Sequence, residues 1–167
     1  PGSPPSWGLQ NIGEGYFRIR LSKNKTRRSK ASKSSVSNGK INNPLVFNLD
    51  SGRKIIVGRN NKENDVLSLK MSAKSDIWFH TKDIPGSHVV LQTHGLKLAE
   101  IEKNFPEEIK TAASIAAYHS KGKSSENVPV DYTEIKYVRK PNGAKPGMVI
   151  FKNNKTIWVT PHVPNHP

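Results

Sequence analysis

The chain has 167 residues, a formal net charge of +14, a sequence pI near 10.1 and no cysteine. That length suits one domain with a flexible arm, and the missing cysteine excludes disulfides, thiolate metal sites and cysteine nucleophiles. The charge speaks about partners: RNA, DNA, an anionic membrane surface or an acidic protein.

Pro1-Gly2-Ser3 reads as a cloning remnant, and no signal peptide follows it. From Phe17 to Ser37 the chain runs FRIRLSKNKTRRSKASKSSVS, with Arg18, Arg20, Lys23, Lys25, Arg27, Arg28, Lys30 and Lys33 and no acid between Glu14 and Asp50. Apolar periodicity is missing. Residues 1–43 therefore read as a disordered basic arm, either a plain linker or a phosphate-binding segment that condenses on RNA by counterion release. The density of cations favours the second.

The domain proper is expected over 44–161, with a frayed tail at 162–167. PLVFNL, DSG and KIIVG predict a hairpin over 44–49 and 53–58. A short helix follows, with Asn61 as its N-cap and Val66, Leu67 and Leu69 on its apolar side. DIWFHTK alternates, so Ile77, Phe79 and Thr81 share one face and Trp78, His80 and Lys82 the other. Pro85 and Gly86 match a type II turn, and SHVVLQT reads as a strand buried on both faces. Pro106 opens a second helix, with Glu107 and Glu108 at its positive end and Ile109, Ala112, Ala113, Ala116 and Ala117 in one stripe. VPVDYTEIKYV is one strand or two. GMVIFKNNKTIWVTP predicts a hairpin of Met148–Phe151 with Thr156–Val159. The sum is an α+β fold: a mainly antiparallel sheet with two helices packed on it. No apolar run approaches the ~20 residues of a membrane span.

Enzyme readings find little to stand on. GAKPG lacks P-loop spacing, and neither HExxH nor a nucleophile elbow occurs. His80 and His88 offer two ring nitrogens where zinc needs three or four ligands, with Asp76 and Asp83 as remote partners. The pair could also serve acid–base chemistry. No cofactor, metal or catalytic residue is expected. A binding surface suits the residues better. Trp78, His80 and Lys82 on one strand face make an aromatic platform with cations, and the amides of Gly86, Ser87 and His88 could face a phosphate. The plain alternative is that Trp78 packs in the core and His88 meets a backbone carbonyl. Arg59 in GRNNKEND offers a bidentate phosphate contact among capping asparagines. In YVRKPNGAKPG, two prolines and two glycines hold Arg139, Lys140 and Lys145 on a constrained loop, a phosphate site or a surface turn.

VGRNNKENDVLSLKMS, DIWFHTKDIPGSHVVL, AASIAAYHSKGKSSENVPVDYTEIKYVRKPNGAKPGMVIF and NNKTIWVTP, in this order, resemble the NFACT-R domain. That domain is the C-terminal part of bacterial RqcH-type, or fibronectin-binding protein A-like, proteins, which are related to NEMF. The resemblance implies an RNA-binding module of ribosome-associated quality control. Its expected partners are tRNA and the large ribosomal subunit, its setting is the cytoplasm, and its role lies in adding alanine tails to stalled chains. The same resemblance carries a lesser alternative: a fibronectin- or fibrinogen-binding adhesin domain at the bacterial cell surface. HVPNHP matches nothing in the family pattern.

Overall fold

The computed structural model describes residues 34–164. Its frame is a six-stranded antiparallel sheet of β3 (Leu45–Asn48), β4 (Lys54–Val57), β5 (Ile77–Thr81), β6 (Val89–Leu91), β7 (Val128–Glu134) and β10 (Lys155–Val159). Across the sheet the order is β10-β7-β5-β6-β4-β3. Both faces are covered over the centre, so β5 and β6 are buried at every position.

One face carries two helices, α2 (Leu98–Asn104) and α3 (Pro106–Tyr118). Pro106 occupies the first turn of α3, where its missing N–H costs nothing, and Glu107 and Glu108 lie at the positive end of the helix dipole. The stripe Ile109, Ala112, Ala113, Ala116 and Ala117 faces the sheet, where Ile55, Val57, Ile77, Phe79, Val89, Leu91 and Val130 complete the first core. Small alanines bring the helix close. Arg53, leaving the β3–β4 turn, ties this layer down: its Nε donates to Glu108 Oε1 at 2.6 Å and its guanidinium lies 3.9 Å from the Phe105 ring centre.

The other face carries α1 (Asn61–Leu69) and two small antiparallel pairs, β1 (Val36–Ser37) with β2 (Lys40–Ile41) and β8 (Val138–Arg139) with β9 (Ile150–Phe151). Ile41, Val66, Leu67, Ile135, Val138 and Val149 close over Ile56, Trp78 and Val90 in a second core.

Several expectations need correction. The basic arm does not run to residue 43. Asn38 and Gly39 have φ of +53° and +72°, the pattern of a type I′ turn, and close a β1–β2 hairpin whose Ile41 is buried in the second core. Among the described residues there are three helices, since α2 adds to the two expected; Glu100 accepts the Lys97 backbone N–H at 2.9 Å and starts it. The N-cap of α1 is Asn60, whose side chain accepts from the Glu63 N–H, one residue before the expected Asn61. Residues 148–159 are not one hairpin. Val149 and Phe151 belong to the second core, whereas Ile157 and Val159 belong to the first, so β9 pairs with β8 and β10 with β7. Finally, the positive φ in the β5–β6 turn falls on Asp83 (+55°), so no type II turn forms at Pro85-Gly86.

Candidate nucleic-acid interface

The alternation of β5 holds, but its second face is covered. Trp78 is 0% exposed, and His80, Ser87 and His88 are buried with it. Trp78 Nε1 donates to Ser68 Oγ at 3.0 Å, and the same hydroxyl meets His88 Nδ1 at 2.8 Å. His80 stacks on the indole with ring centres 5.8 Å apart, and His88 meets it edge-on at 5.3 Å. The His88 N–H donates to Asn64 Oδ1 at 3.1 Å. Burial pushes both imidazoles below their ordinary range, His88 to about 3, with Lys140 adding to the shift at His88 and the nearby His88 adding to it at His80. Both rings are neutral at ordinary pH and bring no charge to a phosphate.

The amides after Pro85 are engaged as well. The Ser87 N–H donates to the His119 carbonyl at 3.0 Å, and Gly86 bridges to Ser120. A Cβ at Gly86 would stand 2.7 Å from Ser120 Cβ, so glycine serves close packing here. Trp78, His80 and His88 thus form the joint of α1 with the sheet, and Gly86 and Ser87 tie the β5–β6 turn to the end of α3, so none of the five presents the open platform that was expected.

The other expected cations divide. Arg59 holds Glu63 through Nε and Nη2, both at 2.9 Å, and also donates to the Asn42 carbonyl. Lys140 reaches Asp65 at 3.2 Å and folds its own loop back on α1, where Gly147 N–H also donates to Asp65. These two are fasteners of the second layer, half-buried. Lys82 is half-buried at the end of β5, and Arg139 and Lys145 are exposed. Arg18, Arg20, Lys23, Lys25, Arg27 and Arg28 lie outside the described residues.

The sign of the exposed charge differs between the two layers. On the layer of α1, β1–β2 and β8–β9 and in its loops, Lys40, Lys62, Lys70, Lys74, Lys136, Arg139, Lys145 and Lys152 are exposed. The acids near them are turned inward or paired: Glu63 on Arg59, Asp65 on Lys140, Asp76 on the N–H groups of Ala73 and Thr93, and Glu134 at 3.7 Å from Lys136. Among the described residues the exposed acids are Asp50, Asp83, Glu100, Glu107 and Glu126, all on α2, α3 or the loops that border α3. Lysines are exposed on that side too, so its charge is mixed. Among the described residues, exposed cations stand together without exposed acids only on the α1 layer, an arrangement that suits a phosphate backbone. Of this set, the sequence pointed only to Arg139 and Lys145. Lys62, Lys70 and Lys74 are not marked out by the α1 pattern: Lys70 follows Val66 by four residues and Leu67 by three, on the apolar side, and Lys74 lies beyond the helix.

Comparison with known proteins places these features in a family. Residues 46–143 match the family model described as the NFACT protein RNA binding domain. The chain is 48% identical over 126 residues to the Rqc2 homolog RqcH of Bacillus subtilis, covering 73% of this chain and 20% of that protein. It is 38% identical over 163 residues to the Rqc2 homolog RqcH of Streptococcus pneumoniae, covering 92% of this chain and 26% of that protein. It thus spans about a fifth to a quarter of the length of these relatives. Among solved structures, the C-terminal part of the fibronectin/fibrinogen-binding protein of Streptococcus suis superposes with a TM-score of 0.68 at 38% identity, over 87% of this chain and 56% of that one.

Proposed function

The chain belongs to the NFACT RNA-binding domain family, and from that premise we propose that it is the RNA-binding module of a ribosome-associated quality-control factor, holding tRNA and large-subunit rRNA while alanine tails are added to stalled chains. The observation that supports this reading is the separation of charge: exposed cations without exposed acids on the α1 layer, and acids gathered around α3. Phosphates docking there release counterions, which supplies affinity without sequence readout. The fold contributes by rigidity. Asp65 and Lys140 tie the 140–147 loop to α1, so Arg139 and Lys145 are presented on a fixed frame. In this reading the basic arm adds phosphate contacts, the domain itself catalyses nothing, and the setting is the cytoplasm. Among the described residues no helix is long and apolar enough to cross a membrane.

The test is a pair of triple charge reversals assayed for tRNA binding across a salt series. Lys62→Glu, Lys70→Glu and Lys74→Glu together should weaken binding and lower the salt slope by about 1 for each phosphate that is no longer neutralised. Lys97→Glu, Lys103→Glu and Lys110→Glu, on α2 and α3, should change little. Equal losses from both sets would refute a sided interface.

A second reading draws on the Streptococcus suis structure, whose protein is described as fibronectin/fibrinogen-binding. Here the free edges of β3 and β10 would take up a partner strand at the cell surface. Fibronectin binding that resists salt and is lost on edge-strand substitution would favour it.

A further inference from the structure

Among the described residues, one of the phenylalanine, tyrosine and tryptophan side chains is exposed. Trp158 is 60% exposed; among the described residues the other large hydrophobic in solvent is Met71, at 38%. Strand periodicity explains the direction. Ile157 and Val159 pack into the first core, so Thr156 and Trp158 must face the opposite side of β10. The second layer does not reach that far: its core rests on Ile56, Trp78 and Val90 of β4, β5 and β6. The sheet is therefore open at this end.

The neighbours across the sheet are fixed by register. Trp158 pairs with Pro129 on β7, and the Lys82 N–H donates to the Pro129 carbonyl at 2.8 Å. Lys82, Pro129 and Trp158 thus form one row across three strands. In the next row Thr156 pairs with Asp131 and donates to its buried carboxylate at 2.7 Å, and Asn154 donates to the same group at 3.2 Å, so that acid is masked from the surface. A large indole on an exposed edge strand invites aggregation, and proteins usually place charge there instead. Trp is also seldom left this exposed. A lone exposed apolar residue would need no explanation; an indole paired across the strands with a proline, with a lysine in its row, has the parts of a stacking site.

We propose that Trp158 is a stacking platform for an unpaired RNA base, with Lys82 beside it for the adjoining phosphate. The inference rests on the RNA-binding reading and deepens it, naming a single-stranded segment as what this sheet edge holds. A base stacks by its π-face whatever its identity, so the contact is tolerant of sequence. Period-two reading of KTIWV would have placed Trp158 with Thr156 on the polar face.

The test uses the whole chain, a labelled short single-stranded oligoribonucleotide of mixed sequence and its abasic counterpart. Trp158→Ala and Trp158→Leu should raise Kd for the base-bearing strand by about fivefold to 150-fold, with much less change for the abasic strand. Trp158→Phe, which keeps a ring, should retain most of the affinity. Leucine keeps apolar bulk without a π-face, so it separates stacking from simple burial, and thermal melts identical to wild type show that the fold is intact. Tight wild-type binding with no loss in Trp158→Ala and Trp158→Leu, or with equal loss on both strands, would overturn the platform and leave RNA binding standing. A wild-type chain that binds neither strand nor tRNA overturns both. If Trp158→Ala loses fibronectin and keeps RNA, the edge serves a protein and the proposal is wrong.

Discussion

Acidification should loosen this domain before its carboxylates matter, because two neutral histidines lie under α1. His88 has an ordinary pKa of 6.5 when the chain is unfolded, and burial pushes it to about 3 in the fold. Between those values the unfolded chain holds a proton that the folded chain refuses. Stability is therefore full above about 6.5 and falls as pH drops toward 3, by up to about 1.4 kcal/mol per pH unit for one such group. At about pH 5, His88 alone should cost about 2 kcal/mol. His80 is lowered by burial and by His88, and His119 by burial and by Lys123, so both act in the same direction. Asp131 opposes them: burial raises its carboxyl, so its protonation favours the fold, but only once pH falls through that raised value. Urea melts at a series of pH values from about 7.5 down to about 5 measure the slope, and imidazole proton resonances assign it. A flat stability over that range, or a His88 ring that titrates near its ordinary value, would refute the burial argument.

Three further outcomes concern the joints of the fold. Trp78→Ala should cost about 3–5 kcal/mol in chemical denaturation, while the folded fraction keeps its RNA affinity; weaker binding at unchanged stability would return Trp78 to the interface. Gly58→Ala would put a Cβ 2.1 Å from Asn64 Oδ1 and displace the amide that accepts the His88 N–H; about 1–3 kcal/mol of overpacking should appear as a lower melting temperature. Glu108→Ala would strand the Arg53 guanidinium, whose side chain is only 10% exposed. That change should cost about 3 kcal/mol, and Glu108→Gln, which still accepts a hydrogen bond, should cost less by the same melts.

What could be read from the sequence, and what could not, follows from the range of the forces involved. The α3 stripe and the alternation of Ile77 and Phe79 against Trp78 and His80 are local, so periodicity finds them. What covers the second face is not local. Ser68 and Asn64 come from α1, and Phe151 from β9, and only the folded chain brings them onto Trp78 and His88. An aromatic–histidine stretch looks alike as a binding platform and as a buried joint until its cover is known. Val36–Ile41 escapes for another reason: the lysines before it dominate the composition, although Asn38-Gly39 is a strong hairpin signal. Lys140 and Arg59 are legible as cations, but not as fasteners, since Asp65 and Glu63 declare themselves only through contact. Motif resemblance supplies the family, and the charge separation between layers emerges only with the fold.

Docking of RNA on the α1 layer can be seen residue by residue through amide chemical-shift mapping of the whole chain during a tRNA titration. Shifts should concentrate in residues 61–74 and 136–152 and fade as salt is raised, with α2 and α3 quiet. Shifts centred on α2 and α3, or none at concentrations where fibronectin binds, would contradict it.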